Sequence, residues 1–177
     1  MDEPAQPPNA IDQAARLGAE AEARREAGDL AAAKELFDQA LALTQRAHGP
    51  DHPRTAIALN NLAGVLGALG KLGKARTLYQ RALAIDEKAL EPDHPDLVVD
   101  LNNLGSALRE MGELDEARTR FERALAIAGR AHWPDHPALA LILSNLAAVV
   151  AELGDLPRSL ELLARARALK QRNQGQD

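Results

Sequence analysis

Three Asp-His-Pro triplets contain the residue types in this sequence that most often ligate metals. They occupy residues 51–53, 93–95 and 135–137, so they recur every 42 residues. Histidine and aspartate are both metal ligands. Helices that pack side by side, however, lie about 8–10 Å apart, which is too far for one ion to take a ligand from each copy of a stacked unit. We therefore predict no metal site, and we expect these side chains to cap helices and shape the connectors.

The sequence offers no other group of residues suited to catalysis. It has no cysteine, which excludes a thiolate nucleophile, a thiolate metal site and a disulfide framework. Gly64, Gly67 and Gly70 are not preceded by the strand that a nucleotide-binding glycine loop requires, and no coherent nucleophile–base pair is present. We predict a protein that is not an enzyme and that binds no cofactor.

Charge and hydropathy restrict the classes of partner. The chain has 21 Lys and Arg residues against 26 Asp and Glu, a net charge of −5, which disfavours nucleic acid and anionic membranes as partners. Residues 1–8 are acidic and proline-rich, unlike a signal peptide. The longest apolar run, residues 146–151, is far shorter than the roughly 20 residues that span a bilayer. We expect a cytoplasmic protein.

The interval of 42 residues organises nearly the whole chain. It also relates the pairs Asn60-Asn61, Asn102-Asn103 and Ser144-Asn145, and the glycines at positions 28, 70, 112 and 154. Hydrophobic residues make up 46% of the chain but aromatic residues only 2%. This composition favours helices packed through small side chains over a β-sandwich, which needs branched and aromatic residues.

Within one unit the apolar residues follow a helical period. Leu59, Leu62, Ala63 and Leu66 form one stripe, and a second stripe begins at Ala75. A glycine is expected to end the first helix at its C′ position, and the proline of each triplet to begin the next helix. Each unit is thus predicted to be a helix, a tight turn, a second helix and a proline-bearing connector. Neither helix buries its stripe alone, so neighbouring units must stack to build the core.

These patterns resemble a known repeat family. Leu101-x-x-Leu104-Gly105-x-x-Leu108, followed by Ala117-x-x-x-Phe121-x-x-Ala124, is similar to the tetratricopeptide repeat, whose usual length is 34 residues. The longer unit, with Pro-Asp-His-Pro in the connector and Leu-Asn-Asn-Leu in the first helix, resembles the kinesin-light-chain variety. The resemblance implies an all-α fold, a right-handed α-solenoid of four helix-turn-helix repeats. The expected repeats span about 11–47, 53–89, 95–131 and 137–172, in one domain (11–172) between a disordered tail (1–10) and a frayed C-terminus (173–177).

The first and last units differ from the middle ones in polarity. Glu20 and Arg24 interrupt the stripe of the first unit, and Arg167 stands where Leu83 and Leu125 stand in earlier units. The ends of a solenoid need polar outer faces because no neighbour covers them. We therefore expect a complete array of four units. An excised fragment with polar ends is the alternative.

The resemblance also implies a candidate binding surface, because the first helix of each tetratricopeptide repeat lines the concave face of the array. Asparagine offers both a donor and an acceptor, which suits the backbone of an extended peptide. The predicted groove residues are Ile57, Asn60, Asn61, Val99, Asn102, Asn103, Ser106, Arg109, Leu141, Ser144 and Asn145. The alternative for the asparagines is that one of each pair bonds to the adjacent unit and only locks the stack.

These features predict a non-enzymatic module that binds an extended peptide segment of a protein partner in its concave groove. The expected groove lacks the lysines that would clamp an acidic C-terminal tail, which argues against such a ligand. Trp133, in a connector, is a candidate partner anchor, although packing over the connector is the commoner role. Two alternatives remain open: a self-associating, homo-oligomeric scaffold, and a designed or structural repeat with no ligand.

Overall fold

The chain folds into helices throughout the residues described by a computed structural model, 9–130 and 137–174. No strand occurs in these ranges, and none of their helices is long and apolar enough to cross a membrane. The eight helices are α1 (Ala10–Glu26), α2 (Leu30–His48), α3 (Pro53–Ala68), α4 (Leu72–Ala89), α5 (Leu97–Glu110), α6 (Leu114–Arg130), α7 (Pro137–Glu152) and α8 (Leu156–Gln174).

Contacts divide the chain into two compact units, and the boundary between Ile85 and Asp86 falls inside α4. In the first unit, α1 packs against α2 and α2 against α3. In the second unit, α5 packs against α6, α6 against α7 and α7 against α8, and α5 also contacts α7. Within each unit, these successive helices are therefore neighbours in space, as expected for consecutive helical hairpins.

Glycine makes the tight turn inside each hairpin. Gly70 and Gly112 have φ angles of 71° and 78°, in the left-handed region that strains other residues. The next amide reaches back over the helix end: Lys71 N–H donates to Leu66 C=O at 2.8 Å, and Glu113 N–H to Leu108 C=O at 2.9 Å. These bonds satisfy carbonyls at the helix end. The structure confirms the prediction that glycine ends these helices.

The Asp-His-Pro connectors differ from one another at the start of the following helix. Pro53 is the first residue of α3, as predicted, and the His52 ring accepts the Arg54 N–H at 3.1 Å. At the second connector the prediction is wrong, because α5 begins at Leu97, two residues after Pro95. There the His94 ring accepts the Asp96 N–H at 3.2 Å, and the chain turns before the helix starts. Asp135 and His136 of the third triplet lie outside the described residues.

The predicted apolar stripes fill the cores. Leu59 and Leu62 in α3, like Leu101 and Leu104 in α5, are at most 4% exposed. The two helices of the third hairpin, α5 and α6, approach one another closely: a Cβ on Gly105 of α5 would lie 2.9 Å from the ring of Phe121 in α6. By contrast, α1 fully buries only Ala21, in agreement with the charged stripe of the first unit.

Candidate functional site

Three aliphatic side chains are exposed at one repeat position of the first helices. Ile57 of α3 is 59% exposed, Val99 of α5 is 56% exposed and Leu141 of α7 is 52% exposed. Each follows a residue that is almost completely buried, so the helix turns one apolar neighbour inward and leaves the other in water. Single exposed apolar side chains are common; here the same repeat position is exposed on α3 in the first unit and on α5 and α7 in the second.

Two of the predicted asparagines bond to each other. In the second unit, the Asn145 carboxamide of α7 donates through Nδ2 to Oδ1 of Asn102 in α5 at 2.9 Å. This bond links the first helices of neighbouring repeats, which is the arrangement expected if asparagine locks the stack. A carboxamide has two donor hydrogens and an oxygen with two lone pairs, so each side chain keeps bonding capacity beyond this contact.

The second asparagine of the third repeat is in a different situation. Within its own unit, no hydrogen bond joins the half-buried Asn103 carboxamide to another described residue. The serines at the surface are already engaged, since Ser106 donates to Asn102 C=O at 2.9 Å and Ser144 to Ala140 C=O at 2.8 Å. These bonds lie within their own helices and leave the serine oxygens as acceptors.

Arg109 is an ion-paired residue of the predicted surface. Its Nε donates to the Glu152 carboxylate of α7 at 2.7 Å. The two side chains are 40% and 42% exposed, so water screens the pair and its contribution to stability is small. The consequence for binding is electrostatic, because the positive charge of Arg109 is already balanced before any partner arrives.

The two predicted groove residues Ile57 and Asn61 line a cavity of about 330 Å³ in the first unit. Ile11 and Gly18 of α1 contribute to the same lining, and Phe37 of α2 is also part of it. This cavity was not predicted from the sequence. The signal that could have revealed it is Gly18, which stands at the repeat position held by Asn60 and Asn102 in the next two units.

A histidine and an arginine add polar groups to the cavity lining. The rings of His48 and His52 stack with centroids 4.7 Å apart, and His48 lines the cavity together with Arg54. Partial burial lowers the pKa of His48, and repulsion from the nearby His52 and Arg54 lowers it further. This imidazole is therefore mainly neutral at pH 7. No carboxylate is among the described lining residues.

The predicted site residues therefore fall into two groups. The second unit brings together those of α5 and α7, joined by the Asn145–Asn102 bond and the Arg109–Glu152 pair. The first unit holds Ile57, Asn60 and Asn61 on α3. Trp133 lies outside the described residues.

Comparison with known proteins gives a family and a fold. The family model of the tetratricopeptide repeat matches residues 13–88, 58–130 and 99–172, and no curated protein matches the sequence. The crystal structure of BtubC (BKLC) from P. vanneervenii has a TM-score of 0.82 at 24% identity, over 93% of this chain and 65% of that chain. This chain therefore spans slightly less than two thirds of its length.

Two further solved structures share the architecture. The TPR-like repeats of a candidate kinesin light chain from Podosopora anserina give a TM-score of 0.76 at 25% identity, over 96% of this chain and 81% of that chain. Aspartyl phosphate phosphatase F from Bacillus subtilis gives 0.80 at 17% identity, over 94% of this chain and 42% of that chain. Together with the helices described above, these matches identify the fold class as an all-α repeat solenoid, as the sequence predicted.

Proposed function

This chain belongs to the tetratricopeptide repeat family, in the kinesin-light-chain type, and on that basis we propose that it is a non-enzymatic module that binds an extended peptide segment of a partner along its first helices. Proteins of this fold generally mediate protein–protein interactions. The net charge of −5 favours a protein or peptide over nucleic acid and anionic membranes, and we place this function in the cytoplasm.

The observation that carries the proposal is the repeated exposure of Ile57, Val99 and Leu141. A peptide that covers one such side chain removes its apolar surface from water. Burial of a fully exposed Val or Leu side chain contributes about 1.5–3 kcal/mol. Because each of these side chains is already about half buried, covering it contributes about half of that energy, or roughly a 3- to 12-fold change in affinity at about 1.4 kcal/mol per factor of ten. Side chains of an extended peptide would fill these positions.

The asparagines would then hold the peptide backbone. Asn61 and Asn103 are the members of their pairs best suited to this role, because neither carboxamide is engaged within its own unit among the described residues. Asn102 and Asn145 already bond to each other and would contribute only their remaining donors and acceptors. In this proposal, Asn102 and Asn145 link neighbouring repeats, and Asn61 and Asn103 bind the ligand.

A displayed library of random 12-residue peptides provides the test, with the purified chain as bait. Selected peptides are measured against Val99→Ser with Leu141→Ser, for which we expect an affinity loss of at least tenfold with unchanged helicity. The matched control is Leu156→Ser with Leu160→Ser, two leucines of α8 that are 61% and 68% exposed but lie off the proposed surface. Equal losses in both double variants, or a loss in the control alone, would refute the proposed surface.

The exposed leucines of α8 favour a second candidate function, self-association. Leu156, Leu160 and Leu163 recur at helical spacing, and all are at least 45% exposed. The exposed surface of the last helix therefore contains an apolar face as well as polar residues, and a second copy of the chain would cover this face. Light scattering over a range of concentrations tests this: a dimer that Leu156→Ser with Leu160→Ser dissociates supports self-association, and a wild-type monomer at every concentration excludes it.

A further inference from the structure

The bond between Asn102 and Asn145 has a counterpart position in the first unit that contains no acceptor. The two residues lie 43 positions apart and link the first helices of adjacent repeats. The same spacing pairs Gly18 of α1 with Asn61 of α3. Asn61 corresponds to the donor Asn145, and Gly18 corresponds to the acceptor Asn102. In the first unit, an asparagine of the second repeat therefore takes the place opposite a glycine of the first repeat.

The structure shows space at that position. Gly18 and Asn61 both line the cavity of about 330 Å³, and a Cβ on Gly18 would meet no atom within 4 Å. The Asn61 side chain is exposed, and it makes no hydrogen bond to another described residue. The carboxamide that is bonded in the fourth repeat is thus open to a ligand in the second repeat.

The walls of the cavity are mainly apolar. Ile11, Phe37 and Ile57 line it together with several alanines. Thr44 also lines it, but its hydroxyl donates to Ala40 C=O at 2.8 Å, and so it presents an acceptor. A ligand group beside Asn61 meets apolar walls, an amide that donates and accepts, and an accepting hydroxyl oxygen, while His48 and Arg54 add polar groups elsewhere in the lining.

We propose that this cavity receives the carboxamide side chain of a glutamine or asparagine from the bound peptide. The ligand oxygen accepts from Nδ2 of Asn61, in the position that Oδ1 of Asn102 occupies in the second unit, and the ligand NH2 group donates to Oδ1 of Asn61 or to the Thr44 oxygen. The aliphatic part of the side chain packs against Ile57 and Ile11. The inference rests on the proposed function, since it names one side chain of the peptide.

A carboxylate fits this end of the cavity less well than a carboxamide. It would leave Oδ1 of Asn61 facing a second acceptor, whereas a carboxamide supplies a donor for it. Arg54 is the cation nearest in sequence on α3, but it lies seven residues before Asn61, or about 10 Å along the helix. It lines the same cavity, however, and the Leu-Glu analogue in the test below shows whether its guanidinium reaches a carboxylate held at Asn61.

The test follows the side-chain NH2 signals of the asparagines by two-dimensional NMR during titration with three capped dipeptides. N-acetyl-Leu-Gln-N-methylamide is the probe, and the Leu-Glu and Leu-Leu analogues with the same caps, which contain no primary carboxamide, are the comparisons. We expect the glutamine probe to shift the Asn61 side-chain NH2 signal, with at least fivefold higher affinity than either analogue. Equal or tighter binding of the Leu-Leu or Leu-Glu analogue overturns the proposal, as does the absence of any shift.

Gly18→Asn is the variant designed to block the site, because an asparagine at position 18 would supply the acceptor for Asn61 that the ligand otherwise brings. We expect it to abolish the response to the glutamine probe, while Gly18→Ala, which adds only a methyl group to open space, retains it. A response that survives in Gly18→Asn with an intact spectrum overturns the inference. If the dipeptide test fails while library peptides still depend on Val99 and Leu141, only this inference falls; loss of that dependence removes the proposed function itself.

Discussion

Replacing Gly105 with alanine tests the close approach of α5 and α6. A Cβ at this position would lie 2.9 Å from two ring carbons of Phe121, closer than non-bonded carbon atoms normally come. Phe121 is completely buried, so its rigid ring has nowhere to move without displacing its neighbours. The added methyl group should therefore force the two helices apart or push the ring into a strained rotamer.

The expected magnitude is the balance of two opposing terms. Alanine in place of glycine inside a helix stabilises by about 1 kcal/mol, whereas overpacking a filled core costs about 1–3 kcal/mol. The net effect of Gly105→Ala is a loss of up to about 2 kcal/mol. Gly64→Ala is the matched control, since its Cβ would be 3.5 Å from the Tyr79 hydroxyl, an ordinary contact that leaves the helix gain intact.

Thermal unfolding followed by circular dichroism measures the difference. One kcal/mol shifts the Tm by about 2–4 °C in a chain of this size, so the two variants should melt roughly 2–12 °C apart, with Gly64→Ala above the wild type. In a Phe121→Leu background, Gly105→Ala should become neutral or stabilising, because leucine lacks the ring carbons that the added Cβ would approach. If Gly105→Ala raises the Tm as much as Gly64→Ala, the contact between the helices is misplaced.

Three further predictions follow from buried and paired groups. Burial raises the pKa of Asp86, although the hydrogen bond with Asp100 opposes this shift. The protonated form of Asp86 therefore stabilises the fold, and this stability is lost as the pH rises through the folded-state pKa. Asp86→Asn should raise the Tm at pH 7, and the increase should disappear below the ordinary pKa of 3.8. Ala117→Leu should lower the unfolding free energy in urea by about 1–3 kcal/mol, because Ala117 is fully buried. A double-mutant cycle with Asn102→Ala and Asn145→Ala should give a coupling energy of about 0.5–1.5 kcal/mol, typical of one neutral hydrogen bond, and zero coupling would mean that the bond is absent in solution.

The helices and their turns could be predicted because short-range rules determine them. The leucine period around Leu59 and the glycine at Gly70 give the same answer as the structure, since a buried stripe and a left-handed C′ residue are properties of a single helix. Pro95 shows the limit of such rules. A proline is permitted at the start of a helix but does not require it, and the second connector turns for two more residues before α5 begins.

The candidate site was less predictable because side-chain partners depend on tertiary distances. The sequence alone left both roles open for each asparagine, and nothing in it distinguished Asn145, which bonds to Asn102, from Asn103, one repeat earlier. The cavity was missed for a similar reason. It depends on how α1, α2 and α3 pack around Gly18, whereas the pattern of the sequence reports only that a side chain is missing there.

One repeat position shows how a repeating fold acquires specific chemistry. Gly18, Asn60, Asn102 and Ser144 occupy it in turn. Asn102 accepts a hydrogen bond from the next repeat, Ser144 bonds back to its own helix, and Gly18 leaves a cavity. The repeats share their backbone geometry, so it does not distinguish one position of a ligand from another. Under the proposed function, the differences at such positions select the peptide, because each position offers a distinct set of donors, acceptors and space.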